Sequence, residues 1–81
     1  MKTQEEIFGL VRDAIVELFE LEPAQVTPQA RFNEDLEIDS IDAVDLVDHL
    51  GRVFQRKVSP REFRNVKNVQ DLVQTIDRLQ Q

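Results

Sequence analysis

Apolar residues recur at helical spacing in three segments of this chain, and no segment alternates as a half-buried strand would. In each segment they fall on one side of a helical wheel. The three stripes comprise Ile7, Phe8, Leu10, Val11, Ala14, Ile15, Leu18 and Phe19; Ala43, Leu46, Val47, Leu50, Val53 and Phe54; and Val69, Leu72, Val73, Ile76 and Leu79. A helix with one apolar stripe buries it against a neighbour. The sequence therefore predicts an all-α fold.

Capping residues predict where the three helices begin. Thr3 and Glu6 have the spacing of a capping box, so the first helix starts after Thr3 and runs to about Phe19. Asp39 suits the N-cap of the second helix and Asn68 that of the last. Both are short polar side chains that accept the free backbone N–H groups of a first helical turn.

A short third helix is predicted between the second and the last. The run Ser59-Pro60-Arg61-Glu62 supplies an N-cap, a proline at the first helical position and a capping-box glutamate. Phe63 and Val66 would point into the core. The expected architecture is a four-helix bundle with three longer helices, a short third helix and a long first loop.

The first loop covers residues 20–39, a length that is uncommon in a compact domain and hints at a function. Pro23 and Pro28 interrupt any helical pattern there, although one short helical turn is expected near Pro23–Val26. The loop also contains apolar residues that should fix it to the bundle: Leu21, Val26, Phe32, Leu36 and Ile38. We therefore expect an ordered loop.

Charge is unevenly distributed along the 81 residues, whose net charge is −6. Residues 34–48 hold seven acids and no base, whereas residues 49–81 hold seven bases and three acids. The seven acids are Glu34, Asp35, Glu37, Asp39, Asp42, Asp45 and Asp48. An acidic block suits a basic partner protein and argues against nucleic acid, whose phosphates require Lys and Arg.

Ser40 lies inside this acidic block, at the predicted start of the second helix. Because Asp39 already supplies the N-cap, the Ser40 hydroxyl is not needed for capping and should be exposed. The N-terminus of a helix favours negative charge, which makes this hydroxyl a candidate for carrying a phosphate.

A small apolar patch is predicted beside Ser40. Ile41 and Val44 lie opposite the core stripe of the second helix, next to Asp45 and Asp48, where helices normally place polar residues. Two apolar side chains within an acidic surface favour a docking site for another protein.

The residue types present argue against catalysis and a metal site. The single histidine, His49, is nine residues from Ser40 and cannot reach it within one helix. Without cysteine there is no thiolate nucleophile, disulfide or zinc–thiolate site. Calcium loops counted from Asn33 or Asp35 lack the glycine and the final glutamate of an EF-hand. We expect no catalytic residue and no metal ligand.

Length and composition indicate one small domain that spans residues 1–81. No stretch is long enough to cross a membrane, and no secretion signal is evident. The absence of cysteine suits a reducing compartment, so the expected location is the cytoplasm. The expected oligomeric state is a monomer.

Three motifs together resemble the signature of acyl carrier proteins: Asp35-Leu36, Asp39-Ser40-Ile41-Asp42 and Val44-Asp45-Leu46-Val47. The similarity covers nearly the whole chain, including its length, acidity, helix order and long first loop. It implies that a phosphopantetheinyl transferase attaches 4'-phosphopantetheine to Ser40, beside Asp39. The thiol of that arm would carry acyl groups as thioesters, so the chain is expected to be a carrier and not an enzyme.

The same resemblance implies a docking face on the second helix. This face would bind basic patches on acyl-transfer, ketosynthase or related enzymes. Its expected residues on the helix are Ile41, Val44, Asp45 and Asp48. Asp35, in the loop before the helix, is also expected to bind partners.

Some positions differ from the family pattern. The chain has Glu37 where the family often has Gly, and Asp48 where fatty-acid carriers commonly have an apolar residue. Gly51, Arg52 and Val53 stand where those carriers commonly have acids. These differences favour a different set of partners, in specialised lipid, aryl-polyene or polyketide synthesis. Fatty acid synthesis is also among the expected pathways, since the resemblance is to the family as a whole. The alternative function is an unmodified or serine-phosphorylated helical adaptor whose acidic second helix binds a basic partner.

Overall fold

Three α-helices surround one hydrophobic core in the computed structural model, which describes residues 2–80. α1 spans Gln4–Phe19, α2 spans Ser40–Phe54 and α3 spans Val69–Leu79. α1 packs against both other helices. The all-α prediction is confirmed, while the first and last residues of the predicted domain lie outside the described residues.

The predicted N-caps are confirmed in all three helices. Thr3 Oγ1 accepts the backbone N–H of Glu6 at 3.2 Å, and Glu6 Oε1 accepts that of Thr3 at 3.1 Å. The hydrogen bond from the Thr3 backbone holds the pKa of the Glu6 carboxyl below its ordinary value. Asp39 caps α2, and Asn68 caps α3 with a capping box to Asp71.

Most of the predicted core stripes are buried, but their C-terminal ends differ from the prediction. Leu18 is 37% exposed and Val53 is 38% exposed, so placing them in the core was wrong. Each lies in the last turn of its helix, and the next residue, Phe19 or Phe54, packs against the core instead. Helical periodicity shows which residues share a face, but it cannot show how far along the helix the neighbouring elements cover that face.

The short third helix is a 3₁₀ turn over Pro60–Phe63 rather than an α-helix. Ser59 is its N-cap, and Ser59 Oγ accepts the N–H of Arg61 at 3.2 Å. The reciprocal bond predicted from Glu62 is not found among residues 2–80. Phe63 is half-buried and Val66 is buried, as expected.

The first loop is ordered by its own apolar residues. Its single helical turn is a 3₁₀ turn over Pro23–Gln25, close to the predicted position. Leu21 is half-buried against the core. The other predicted anchors are buried: Val26, Phe32, Leu36 and Ile38.

A pairing between the first loop and the start of α3 was not predicted. Residues Arg31 and Asn68 form an isolated antiparallel bridge. Three backbone hydrogen bonds surround it: Phe32 N–H to the Lys67 carbonyl at 3.1 Å, Val69 N–H to the Ala30 carbonyl at 3.0 Å, and Gln70 N–H to the Pro28 carbonyl at 2.9 Å. This pairing fixes the loop that leads to α2 against a segment nearly 40 residues further along the chain.

Candidate functional site

Ser40 is the first residue of α2 and is exposed. The preceding carboxylate, Asp39 Oδ1, accepts the N–H of Ile41 at 3.0 Å and of Asp42 at 2.9 Å. The prediction that Asp39, and not Ser40, caps the helix is therefore confirmed. Because Asp39 occupies these two amides, a phosphate on Ser40 would experience the helix dipole without binding them.

Buried residues on the N-terminal side hold Ser40 in place. Ile38, two residues earlier, is only 2% exposed, and its N–H donates to the Phe32 carbonyl at 2.7 Å. The carboxylate of Asp35 accepts the N–H of Arg31 at 2.8 Å, which closes the preceding turn. These contacts fix the backbone that precedes Ser40, while the Ser40 hydroxyl remains exposed.

Glu37 has a left-handed backbone conformation, with φ at 55°. Two other non-glycine residues, Glu20 and Gln55, share it, but they are the C-caps of α1 and α2, where this conformation is common. Glu37 instead lies in the turn just before Ser40. The glutamate at this position, where the resemblance leads one to expect Gly, therefore occupies a conformation that favours glycine.

The predicted docking patch is exposed at the surface of α2. Ile41 is 76% exposed and Val44 is 49% exposed, and Asp45 lies on the same face. Asp48 forms an ion pair with Arg52, one helical turn further on. Asp45 makes no ion pair with any of residues 2–80, so it leaves more uncompensated negative charge on this face than Asp48 does.

An open groove of about 970 Å³ runs from Ser40 towards the start of α3. Its apolar lining comes from the first loop, α2, the second 3₁₀ turn and the segment after that turn: Phe32, Ile38, Ala43, Val44, Val47, Phe63 and Val66. The rings of Phe32 and Phe63 lie 5.0 Å apart at their centroids. Arg64 and Lys67 also line the groove. Sequence reasoning missed these two, because only the pairing of the loop with α3 brings them near Ser40.

The described part of the chain offers no other chemistry near Ser40. His49 is half-buried on α2, and nine helical residues separate it from Ser40 by about 14 Å along the axis. No three His, Asp or Glu side chains within residues 2–80 are grouped to hold a metal ion. None of the helices in that range combines the length and apolar character that crossing a membrane requires.

The geometry at Ser40 suits a covalently attached phosphate ester. The hydroxyl is exposed, lies at the positive end of the α2 dipole and borders the groove. Asp39, the nearest carboxylate in sequence, is held by backbone N–H groups on the helix cap. The residues present therefore fit a phosphate-linked prosthetic group.

Comparison with known proteins agrees with this geometry. Residues 9–76 match the model of a family described as "Phosphopantetheine attachment site". The chain is 40% identical over 77 residues to "Acyl carrier protein 2" of Ralstonia nicotianae, which covers 95% of each chain. It is 36% identical over 80 residues to the acyl carrier protein of Micrococcus luteus, which covers 99% of each. It is 39% identical to the acyl carrier protein of Aster yellows witches'-broom phytoplasma over 67 residues. That alignment covers 83% of this chain and 88% of the relative.

These matches extend over nearly the whole chain and include the segment around Ser40. The cofactor of such a carrier is 4'-phosphopantetheine, and the carrier itself is not a catalyst. The chain belongs to the acyl carrier protein family.

Proposed function

We propose that Ser40 is the attachment residue for 4'-phosphopantetheine. The observation that carries the proposal is the position of its exposed hydroxyl, at the start of α2 and directly after the Asp39 cap. The only other serine, Ser59, accepts the N–H of Arg61 with its hydroxyl at the cap of a 3₁₀ turn. Of the two serines, Ser40 is therefore the one whose hydroxyl makes no hydrogen bond within residues 2–80.

Each residue around Ser40 has a distinct role in this proposal. Ser40 Oγ would form the new bond to the pantetheine-side phosphorus of coenzyme A, the pyrophosphate P–O bond would break, and adenosine 3',5'-bisphosphate would leave. The Oγ proton would pass to a base on the transferase. Asp39 and Ile38 keep the start of α2 in place while a partner approaches. When bound, the arm supplies a terminal thiol that holds acyl groups as thioesters.

We further propose that the acidic face of α2 docks on partner enzymes. The α2 residues of this docking face are Ile41, Val44, Asp45 and Asp48, and Asp35 of the first loop adds a further acid. The exposed apolar pair Ile41 and Val44 supports this, since exposed apolar residues within a charged surface favour protein contacts. The partners would be a phosphopantetheinyl transferase and acyl-transfer, ketosynthase or related enzymes with basic patches.

The proposed setting is fatty acid, specialised lipid, aryl-polyene or polyketide synthesis. We propose that residues 1–81 act there as one monomeric carrier domain in the cytoplasm. The pairing of Arg52 with Asp48 supports a specialised set of partners, because it reduces the net negative charge at the distal end of α2.

Intact mass after incubation with a phosphopantetheinyl transferase and coenzyme A tests the attachment site. Wild type should gain one phosphopantetheine, Ser40→Ala should gain none, and Ser59→Ala should still gain one. Addition to Ser40→Ala would show that another residue is modified. No addition to folded wild type with several transferases would favour the unmodified adaptor.

A further inference from the structure

The groove beside Ser40 has an uneven charge distribution along its lining. Three acids border it, and each is already engaged: Glu34 by Arg31, Asp39 by the amides of α2, and Asp71 by backbone N–H groups. The amides that Asp71 accepts belong to Lys67 and Asn68. Each of the three carboxylates therefore already has a hydrogen-bond or ion-pair partner within residues 2–80.

Three cationic side chains line the groove, and one of them, Arg31, is paired with Glu34. The other two, Arg64 and Lys67, have no such partner. Both are exposed, and neither forms an ion pair with any of residues 2–80. The backbone of Lys67 is fixed on both sides, since its N–H donates to Asp71 and its carbonyl accepts from Phe32. Although the chain has a net charge of −6, Arg64 and Lys67 thus bring two positive charges to the groove that no carboxylate of residues 2–80 pairs with.

The apolar part of the groove lies beside these cations. Ala43, Val47 and Val66 are each at most 9% exposed, and the Phe32–Phe63 ring pair adds aromatic surface. An occupant that matches both parts has an apolar chain and a negative end. Guanidinium and ammonium groups bind carboxylates more strongly than neutral acceptors, since both partners are charged.

We propose that this groove binds acyl cargo that ends in a free carboxylate, with the chain on the apolar lining and the carboxylate at Arg64 and Lys67. The proposal rests on attachment of the arm to Ser40 and adds the chemical class of the cargo. Ser40 borders the same groove, so a flexible arm attached there can fold back and place its cargo inside. A plain fatty acyl chain would leave the two cations without a partner.

A comparison of two cargoes of equal length tests this proposal. The transferase loads either the octanedioyl thioester or its terminal monoamide, and intact mass confirms loading. The two differ only in the negative charge at the far end. The octanedioyl form should melt about 1 to 4 °C above the monoamide form at low salt, the range expected of partly exposed charge pairs in a chain of this size.

Variants locate the effect. The double variant Arg64→Gln/Lys67→Gln should abolish the difference between the two cargoes, whereas Arg56→Gln/Lys57→Gln, which removes the same charge outside this groove, should retain it. Equal melting temperatures for the two loaded wild-type forms, or a difference that survives Arg64→Gln/Lys67→Gln, would overturn the proposal.

Failure of the cargo assignment can be distinguished from failure of the attachment site. If Arg64→Gln/Lys67→Gln lowers the melting temperature of the form with a free thiol as much as that of the octanedioyl form, the two cations act on the arm or on the fold and not on the cargo carboxylate, and the proposal is wrong. If no mass increment appears on wild type, attachment to Ser40 fails, and both this proposal and the proposed function are overturned. Loaded protein without a cargo difference overturns only the cargo assignment.

Discussion

Asp39 Oδ1 accepts the backbone N–H of Asp42 at 2.9 Å, and this bond spans Ser40 without involving its hydroxyl. Asp39→Ala should therefore lower the free energy of unfolding by about 1 kcal/mol, as expected for loss of an N-cap. Ser40→Ala should change it by less than about 0.5 kcal/mol. Thermal unfolding followed by circular dichroism measures both. Equal losses in the two variants would give Ser40 a structural role.

Ile38 and Ile41 are the same residue type three positions apart, but their surroundings differ. Ile38 is 2% exposed and Ile41 is 76% exposed. Ile38→Ala should cost about 2 to 5 kcal/mol and Ile38→Val about 0.5 to 1.5 kcal/mol, because both remove buried methyl groups. Ile41→Ala should leave stability within about 0.5 kcal/mol and instead slow loading by the transferase. A large stability loss in Ile41→Ala would show that this side chain packs within the fold.

Glu37 has a positive φ of 55°, so Glu37→Gly should stabilise the protein. The left-handed conformation costs a non-glycine residue about 1 to 2 kcal/mol, while the freedom of glycine in the unfolded chain offsets about 0.5 to 1 kcal/mol of this. We expect a net gain of a few tenths to about 1 kcal/mol. Glu37→Ala removes the same carboxylate and keeps the Cβ. It should show no comparable gain, and an equal gain would mean that charge and not backbone conformation is responsible.

Glu6 should make the stability of the protein depend on pH in the acid range. Because its pKa is lowered in the folded state by the Thr3 hydrogen bond, ionised Glu6 stabilises the fold above its unfolded pKa. This contribution is lost as the pH falls through the lowered folded pKa. Wild type should thus melt above Glu6→Gln at pH 7, and the difference should shrink on acidification. Glu5 makes no capping-box bond, so Glu5→Gln should lower the melting temperature at pH 7 by less than Glu6→Gln does.

Asp45 tests the proposed docking face. Asp45→Lys should slow transfer of the arm to Ser40 and leave the melting temperature nearly unchanged, because the side chain is exposed and makes no ion pair among residues 2–80. The difference from wild type should shrink above 0.1 M salt, where exposed charges are screened within about 10 Å. Glu17→Lys makes the same change on an exposed position of α1 and should transfer normally. Equal slowing in both variants would indicate that net charge alone matters.

Features that depend only on residues close together along the chain could be predicted from the amino-acid sequence. The caps at Thr3, Asp39 and Asn68 were predictable because a capping side chain bonds to amides two or three residues away. The three helices and the exposure of Ile41 and Val44 followed from helical periodicity in the same way.

The surroundings of Ser40 depend on contacts between segments that are far apart along the chain. The bond from Phe32 to Lys67 joins residues 35 positions apart, and no local pattern encodes such a pairing. It brings Arg64 and Lys67 into the groove beside Ser40. Packing likewise decided that Pro60–Phe63 forms a 3₁₀ turn and that Leu18 and Val53 stay exposed. Burial depends on which neighbour covers a side chain, and that is a property of the assembled core.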